Sequence, residues 1–368
     1  MSLPAGHRVV VREYGETPLD ALDRHMGLEP QPAPEPATLA PDEVLLRVRA
    51  CAVGWVDLLM ASGQYQHMAP PPYTPGLEFA GEVAAVGAQV TTVRPGDRVL
   101  ADGMRTGPRS KGRHQRWGGF ATWAIIPAAA ALPLPSTLSY DQAVNLLGNF
   151  ETAYHGLIQR ARLRPGETIL IHGASGSTGL AAVQLARHLG ATVIATGRSP
   201  EKLAALQALG AHHVLNTADP EGGVRRFRDE VKALTDGQGA DAVWDGVGGP
   251  ITVESLRALR FGGRLCIIGW AATPFVARGK GQRGAPNANQ LPTNLIQMKG
   301  LDVLGCPAII ATLHDHSLRP TRLRWIMDAV QRRDLVPHAG PAYALADFAE
   351  ALRAKWRSEH LGGCVLHP

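Results

Sequence analysis

Residues 168–179 read Thr168-Ile169-Leu170-Ile171-His172-Gly173-Ala174-Ser175-Gly176-Ser177-Thr178-Gly179, and the helix-forming run Leu180–Leu189 follows without a break. The apolar run predicts a buried strand, the glycine-rich stretch a turn, and the segment after it a helix. That order presents backbone N–H groups at a helix start, where unpaired donors and the helix dipole favour negative charge. A diphosphate needs a position without a Cβ at its closest approach, which Gly176 supplies, while Gly179 lets the helix close on the sheet. Ala174 stands where the first glycine of G-x-G-x-x-G is usual. Ala174, Ser175, Gly176, Ser177, Thr178 and Gly179 are the candidate contacts for a dinucleotide diphosphate; the alternative is a tight turn with no ligand.

Downstream, strand-length apolar runs recur at Thr192–Thr196, His213–Asn216, Ala242–Asp245, Arg264–Gly269 and Leu301–Gly305. Helical patterns separate them at Thr178–Leu189, Pro200–Leu209, Gly223–Leu234 and Ile251–Leu259. Six strands alternating with helices predict an α/β doubly wound parallel sheet. Upstream, Val44 to Val99 alternates short apolar runs with glycine and proline, which predicts short antiparallel strands and a domain boundary near Ser139. Two late helices, Thr321–Arg332 and Ala346–Trp356, are expected to fold back onto the first domain. The basic inserts Arg105–Arg116 and Arg278–Asn289 are expected to be solvated loops.

At the end of the second strand of this sheet, where an acidic residue would bind the ribose 2′-hydroxyl of NAD, the chain reads Gly197-Arg198-Ser199-Pro200-Glu201-Lys202. Arg198, Ser199 and Lys202 would instead welcome a 2′-phosphate, which favours NADPH. The competing reading is that the two cations only line an exposed helix start.

Composition narrows the classes. With 368 residues, 45% hydrophobic and 19% charged, the chain supports two globular domains, and its net charge of +5 is a mild excess. No basic run is interleaved with aromatics, so no nucleic-acid partner is expected. The cysteines, at 51, 266, 306 and 364, form no Cys-x-x-Cys pair, and neither a signal-peptide core nor an 18-residue apolar run is present. The expectation is a cytoplasmic protein without a membrane partner.

With these residues in place the chain resembles the medium-chain dehydrogenase/reductase superfamily, and within it the zinc-independent quinone oxidoreductases. The resemblance runs through Ala50-Cys51-Ala52-Val53-Gly54-Trp55-Val56-Asp57, Thr74-Pro75-Gly76-Leu77-Glu78-Phe79-Ala80-Gly81 and Arg94-Pro95-Gly96-Asp97-Arg98-Val99. It continues through Thr152-Ala153-Tyr154-His155, the Gly173–Gly179 loop, Val247-Gly248-Gly249, Phe261-Gly262-Gly263-Arg264 and Gly362-Gly363-Cys364-Val365-Leu366. It implies a chaperonin-10-like (GroES-like), mainly β catalytic domain from residues 1–148 and 307–368, a Rossmann domain over 149–306, and a homodimer.

Zinc-dependent relatives place their metal ligands where this chain has Gly54, Leu77 and Gly148-Asn149. Glycine and leucine cannot ligate zinc, so no metal site is expected. Without that Lewis acid, alkoxide stabilisation gives way to conjugate reduction, in which charge spreads over an enolate or phenolate. The expected partner is a small electrophile, a quinone or an enone. The resemblance further implies Thr152 and Gly269 beside the nicotinamide, and Gly246, Val247 and Gly248 along the cofactor. Gly54 and Leu59 replace the Asn and Tyr of quinone reductase relatives, which suggests an apolar pocket roofed by Trp55. Tyr65 is the candidate substrate hydroxyl contact, or else a packed aromatic, and Trp270 flanks the substrate or fills the cleft. Two rivals stand beside this reading: an enoyl thioester reductase gripping phosphates through the basic inserts, and a non-catalytic NADPH-binding structural or regulatory protein.

Overall fold

A computed structural model describes residues 3–65, 67–272 and 289–368. These fall into two compact units, one built from residues up to 147 with 337–368, the other from residues 148–272 with 289–336.

The first unit opens with an antiparallel hairpin of β1 (Gly6–Val11) and β2 (Met26–Gln31). Then come β3 (Glu43–Ala52), helix α1 (Trp55–Ala61), β4 (Phe79–Val86), β5 (Arg98–Ala101), β6 (Trp123–Pro127) and β7 (Ala131–Pro133). Strand β3 turns Val44, Leu46, Val48 and Cys51 into the core and leaves Arg47 and Arg49 exposed, the alternation of a strand with one covered face. This is the expected mainly β, GroES-like fold.

The second unit begins at α2 (Leu147–Tyr154) and contains β8 (Thr168–His172), α3 (Ser177–His188), β9 (Thr192–Gly197), α4 (Pro200–Ala208), β10 (His213–Asn216), α5 (Arg228–Ala233), β11 (Ala240–Asp245), α6 (Pro250–Ala258), β12 (Leu259–Ile267), α7 (Thr293–Lys299), β13 (Asp302–Gly305), α8 (Ala308–His314) and α9 (Leu318–Gln331). Its strands run in the order β10-β9-β8-β11-β12-β13, every neighbouring pair parallel. The order reverses between β8 and β11, the point at which open α/β sheets bind ligands. The chain then returns to the first unit through β14 (Ala342–Ala344), α10 (Phe348–Trp356) and β15 (Val365–His367), which extend its sheet in the order β14-β15-β3-β4-β5-β7, with β6 on β3. No helix among the described residues is long and apolar enough to cross a membrane.

Three expectations change. The segment expected to be helical from Gly223 becomes helix only at Arg228, because Gly222 and Gly223 take φ of 92° and 101°, outside any right-handed helix. The late helix α9 belongs to the second unit rather than the first, which moves the boundary from 307 to 337. What holds it there is a buried cluster. Glu151 of α2 accepts hydrogen bonds from Arg319 Nη2 at 2.9 Å, Arg322 Nε at 2.9 Å and Arg322 Nη2 at 2.6 Å. Arg322 Nη2 also donates to Thr312 Oγ1 at 2.6 Å. The first basic insert, finally, is a loop that is packed in part: Thr106, Ser110 and His114 are buried and Arg109 pairs with Glu78 at 3.4 Å, while Arg105, Lys111, Arg113 and Arg116 are exposed as expected. The second insert lies outside the described residues except for Asn289.

Candidate active site

The glycine turn takes its shape from backbone demands. Gly173 has φ 67°, a left-handed conformation that glycine adopts at no steric cost. Gly176 N–H donates to the Gly173 carbonyl at 3.0 Å, and the first helical bond of α3 runs from Leu180 N–H to the Gly176 carbonyl at 2.9 Å. The positive end of the helix therefore lies at residues 176–179. A Cβ at Gly176 would meet nothing but the Gly173 carbonyl oxygen, at 3.3 Å, so the rest of its surroundings is open. At Gly179 a Cβ would stand 2.1 Å from the Gly173 oxygen and 2.7 Å from Ala174 Cα, so the helix rests directly on the turn. Ala174 is fully buried beneath it, while Ser175, Ser177 and Thr178 are half-buried. Thr178 Oγ1 donates to Asn149 Oδ1 at 3.0 Å, tying the turn to α2. One turn further along α2, the Thr152 hydroxyl donates to the Gly148 carbonyl at 2.7 Å, which leaves its oxygen lone pairs to accept.

At the carboxyl ends of β11 and β12 the structure gathers the other expected cofactor residues. A Cβ on Gly173 would touch Val247 Cγ2 at 3.4 Å, and one on Gly248 would meet Trp270 Cα at 3.1 Å. Gly248 has φ 78°, so two requirements, conformation and clearance, both call for glycine there. Ala272 N–H donates to the Val247 carbonyl at 2.8 Å and Gly269 N–H to the Asp245 carbonyl at 3.3 Å, fastening the two loops together. Trp270 keeps 44% of its surface exposed.

Sequence reasoning gave Asp245 no role, yet it organises this loop. Its carboxylate is fully buried; Oδ1 accepts from Val247 N–H and Gly248 N–H, both at 2.9 Å, and Oδ2 from the Thr252 hydroxyl. Asn289 adds a second clasp, accepting from Gly249 N–H at 3.3 Å and donating to Thr252 Oγ1 at 3.2 Å. The available signal was a carboxylate immediately before Gly-Val-Gly-Gly, where a short acceptor can bind the N–H groups two and three residues on.

Beneath the turn, His172 is fully buried. Where Ser255 Oγ gives its proton to the Ile251 carbonyl at 2.7 Å, it accepts from His172 Nε2 at 2.6 Å; Nδ1 then accepts from the Thr196 hydroxyl at 2.7 Å. The Thr196 hydroxyl also reaches the Ile171 carbonyl at 3.3 Å, so a neutral imidazole is satisfied in either tautomer, with the shorter Ser255–Ile251 bond favouring Nε2–H. Burial lowers the imidazole to about 4, although the Asp245 carboxylate acts in the opposite sense.

The ribose end of the site lies at β9 and α4. Arg198 is exposed, Lys202 half-buried, and Ser199 Oγ accepts from Lys202 N–H at 3.3 Å as the cap of α4, with Pro200 in the first turn. Accepting that bond leaves the Ser199 O–H able to donate.

In the first unit, Asp57 is buried and holds the entrance to α1. Its Oδ2 accepts from Gly54 N–H at 2.9 Å and its Oδ1 from Gly76 N–H at 3.0 Å. Burial raises the carboxyl to about 6 against these bonds and the Arg109 charge. Trp55, first residue of α1, stacks on Trp356 of α10 with ring centroids 5.2 Å apart and 3° between planes. Tyr65 is half-buried and meets His67 edge-on at 6.1 Å. The two expected substrate contacts thus have separate partners. The positions of zinc ligation do not fit a metal: Leu77 is a buried apolar side chain, Gly54 has none, and the Asn149 amide is bonded to Thr178. Among the described residues no three His, Cys, Asp or Glu side chains converge as a metal site would require.

The alcohol dehydrogenase GroES-like domain family matches residues 40–136, and the zinc-binding dehydrogenase family matches residues 177–313. A quinone oxidoreductase-like protein 2 homolog of Nematostella vectensis is 34% identical over 331 residues, which cover 89% of this chain and 82% of that protein. Quinone oxidoreductase-like protein 2 of Mus musculus is 32% identical over 90% of this chain and 86% of its own. Among solved structures, the quinone oxidoreductase of Thermus thermophilus, crystallised also as its NADPH complex, superposes with a TM-score of 0.75 at 30% identity, covering 98% of this chain and 100% of that one. A mycobacterial protein complexed with NADPH gives 0.77 at 26% identity over 99% and 100%.

Proposed function

Because the chain belongs to the quinone oxidoreductase-like branch of the medium-chain dehydrogenase/reductase superfamily, an oxidoreductase family with an NAD(P)-binding fold, we propose that it reduces a quinone or an α,β-unsaturated carbonyl compound with NADPH. The observation that carries the reading is the turn at 173–179, open at Gly176 and closed at Gly179, heading a helix at the switch point of the sheet. NADPH supplies a hydride when bound. The chain's own share is positioning: the turn receives the diphosphate, and Asp245 holds Gly246-Val247-Gly248 flat enough for the cofactor to lie along it. Arg198, Ser199 and Lys202 bind the 2′-phosphate by charge and hydrogen bonding. Two relatives of known structure carry NADPH, which agrees with that assignment.

The acceptor follows from the side chains near Gly54. With no thiolate, imidazole or carboxylate at the ligand positions, the site suits acceptors whose developing charge is delocalised over a ring or enolate. The thioester rival loses two of the cations it would use, since Arg109 is paired with Glu78 and Arg113 with Asp42 at 2.6 Å and Glu43 at 3.2 Å, while Arg105, Lys111 and Arg116 stay exposed. Following NADPH oxidation with 1,4-benzoquinone, a simple enone and crotonyl-CoA should show turnover with the first two and no preference for the thioester. Tight NADPH binding with no turnover across the panel would favour a non-catalytic role instead.

Cofactor choice is tested separately. The double variant Arg198→Ala, Lys202→Ala is expected to raise the KM for NADPH by about tenfold or more while that for NADH changes by less than about twofold. An equal effect on both would remove the 2′-phosphate assignment.

A further inference from the structure

The ladder between β8 and β9 ends at the pair Ile171–Ala195, and that between β8 and β11 at His172–Asp245. Beyond these pairs the ladders stop, and side chains hold the strand ends that line the ligand crevice. The His172 imidazole does so in two directions. One nitrogen lies 2.7 Å from the Thr196 hydroxyl, near the end of β9, and the other 2.6 Å from Ser255 Oγ on α6. Thr196 stands immediately before Gly197-Arg198-Ser199, the stretch assigned to the 2′-phosphate. Ser255 stands three residues after Thr252, whose hydroxyl binds the Asp245 carboxylate that accepts from Val247 and Gly248 N–H. His172 itself is followed by Gly173, where the diphosphate turn begins. Three separate stretches of the cofactor site therefore meet at one fully buried ring, which packs on Phe227 with centroids 5.5 Å apart. Thr196 and Ser255 are buried as well, and a neutral imidazole offers one donor and one acceptor, one for each of them. Sealed beneath the turn, the ring acts on a bound cofactor only through the stretches it joins.

We propose that His172 is a positioning residue with two separable arms: the bond to Thr196 sets the preference for the phosphorylated cofactor, and the bond to Ser255 sets the affinity for either cofactor. This rests on the proposed NADPH reading and assigns part of its selectivity to a residue that does not touch the cofactor. The arms differ in consequence. Slack at Thr196 lets Arg198 and Ser199 drift from the phosphate, a loss that NADH, having no 2′-phosphate, does not feel. Slack at Ser255 reaches Gly246-Val247-Gly248 through α6, Thr252 and Asp245, and that loop lies along the part the two cofactors share.

The test is the pair of dissociation constants for NADPH and NADH, from fluorescence titration of the full-length protein. Thr196→Val, which keeps the shape and removes the hydroxyl, is expected to raise the NADPH constant about fivefold and the NADH constant by less than about twofold. Ser255→Ala is expected to raise both about threefold and to leave their ratio unchanged. His172→Leu should combine the two effects, and His172→Gln, which restores a donor and an acceptor, should recover most of both. The two hydroxyl variants carry the test if His172→Leu does not fold. A ratio of constants is blind to a general loss of stability, which is all that a merely structural role would give. An unchanged ratio in Thr196→Val, or a ratio that moves in Ser255→Ala as far as in Thr196→Val, would overturn the proposal while leaving the cofactor reading intact. Equal binding of the two nucleotides by the unaltered protein would overturn the 2′-phosphate assignment and the proposal with it. No binding of either would overturn the cofactor reading itself.

Discussion

Replacing Glu151 with alanine is expected to cost the protein about 3–5 kcal/mol of stability, the range typical when one partner of a buried ion pair is removed. The cause is the charge left behind. Glu151 is 2% exposed, and the guanidiniums it binds belong to Arg319, at 8%, and Arg322, at 0%. Arg322 spends Nε and Nη2 on Glu151 and Thr312, and its Nη1 has no hydrogen-bond partner among the described residues. Removing the carboxylate strands a fully desolvated cation that water cannot reach. Urea unfolding of the variant, followed by far-UV circular dichroism, measures the loss. Asp23→Ala is the control, since its 2.6 Å pair with Arg353 is exposed on both sides and should be worth less than about 1 kcal/mol. Similar losses in the two variants would mean that the cluster is not the anchor of α9.

The same cluster shows where the sequence is legible and where it is not. Strands β8 to β13 were readable because each is a short apolar run bounded by turn residues, and the α/β alternation then left few topologies to choose from. The placement of α9 was not, because it depends on contacts between residues 168 and 171 positions apart. A helix whose first half carries arginines at 319, 322 and 324 reads as a solvated surface until its acidic partner is known. The packed insert at 105–116 misleads for the same reason: Arg109 and Arg113 find their carboxylates at 78, 42 and 43.

The candidate site divides along similar lines. Glycines 176 and 179 were legible because clearance is a local requirement that a motif encodes, whereas Gly248 came only from the family resemblance. Asp245 was hidden in plain text, as the last residue of an apolar strand where a carboxylate looks out of place until the N–H groups it caps are seen. The stack of Trp55 on Trp356 was out of reach, since it spans most of the chain.

Acid sensitivity should be carried in large part by His172. Its imidazole is held near 4 in the fold by burial, against an ordinary value of 6.5 that the unfolded chain recovers. Above about pH 6.5 both states are neutral and the full stability is present. As the pH falls toward 4 the unfolded chain takes up a proton that the fold refuses, so stability drops, by about 2 kcal/mol between pH 7.5 and pH 5 from this group. Asp57 works the other way: its carboxyl, raised to about 6, binds a proton in the fold before the unfolded chain does, so it adds stability over the same range. The slope of the unaltered protein therefore understates His172, and the informative quantity is its difference from His172→Gln. Glutamine keeps a donor for Ser255 and an acceptor for Thr196 but cannot titrate. Urea unfolding at pH 7.5 and pH 5 should show the unaltered protein losing about 2 kcal/mol more than the variant. The variant is expected to start less stable, because a smaller side chain leaves the pocket underfilled, and to be flatter. Parallel pH profiles for the two proteins would show that the fold does not keep the His172 imidazole neutral down to pH 5, and the assignment of the acid sensitivity to it would fall.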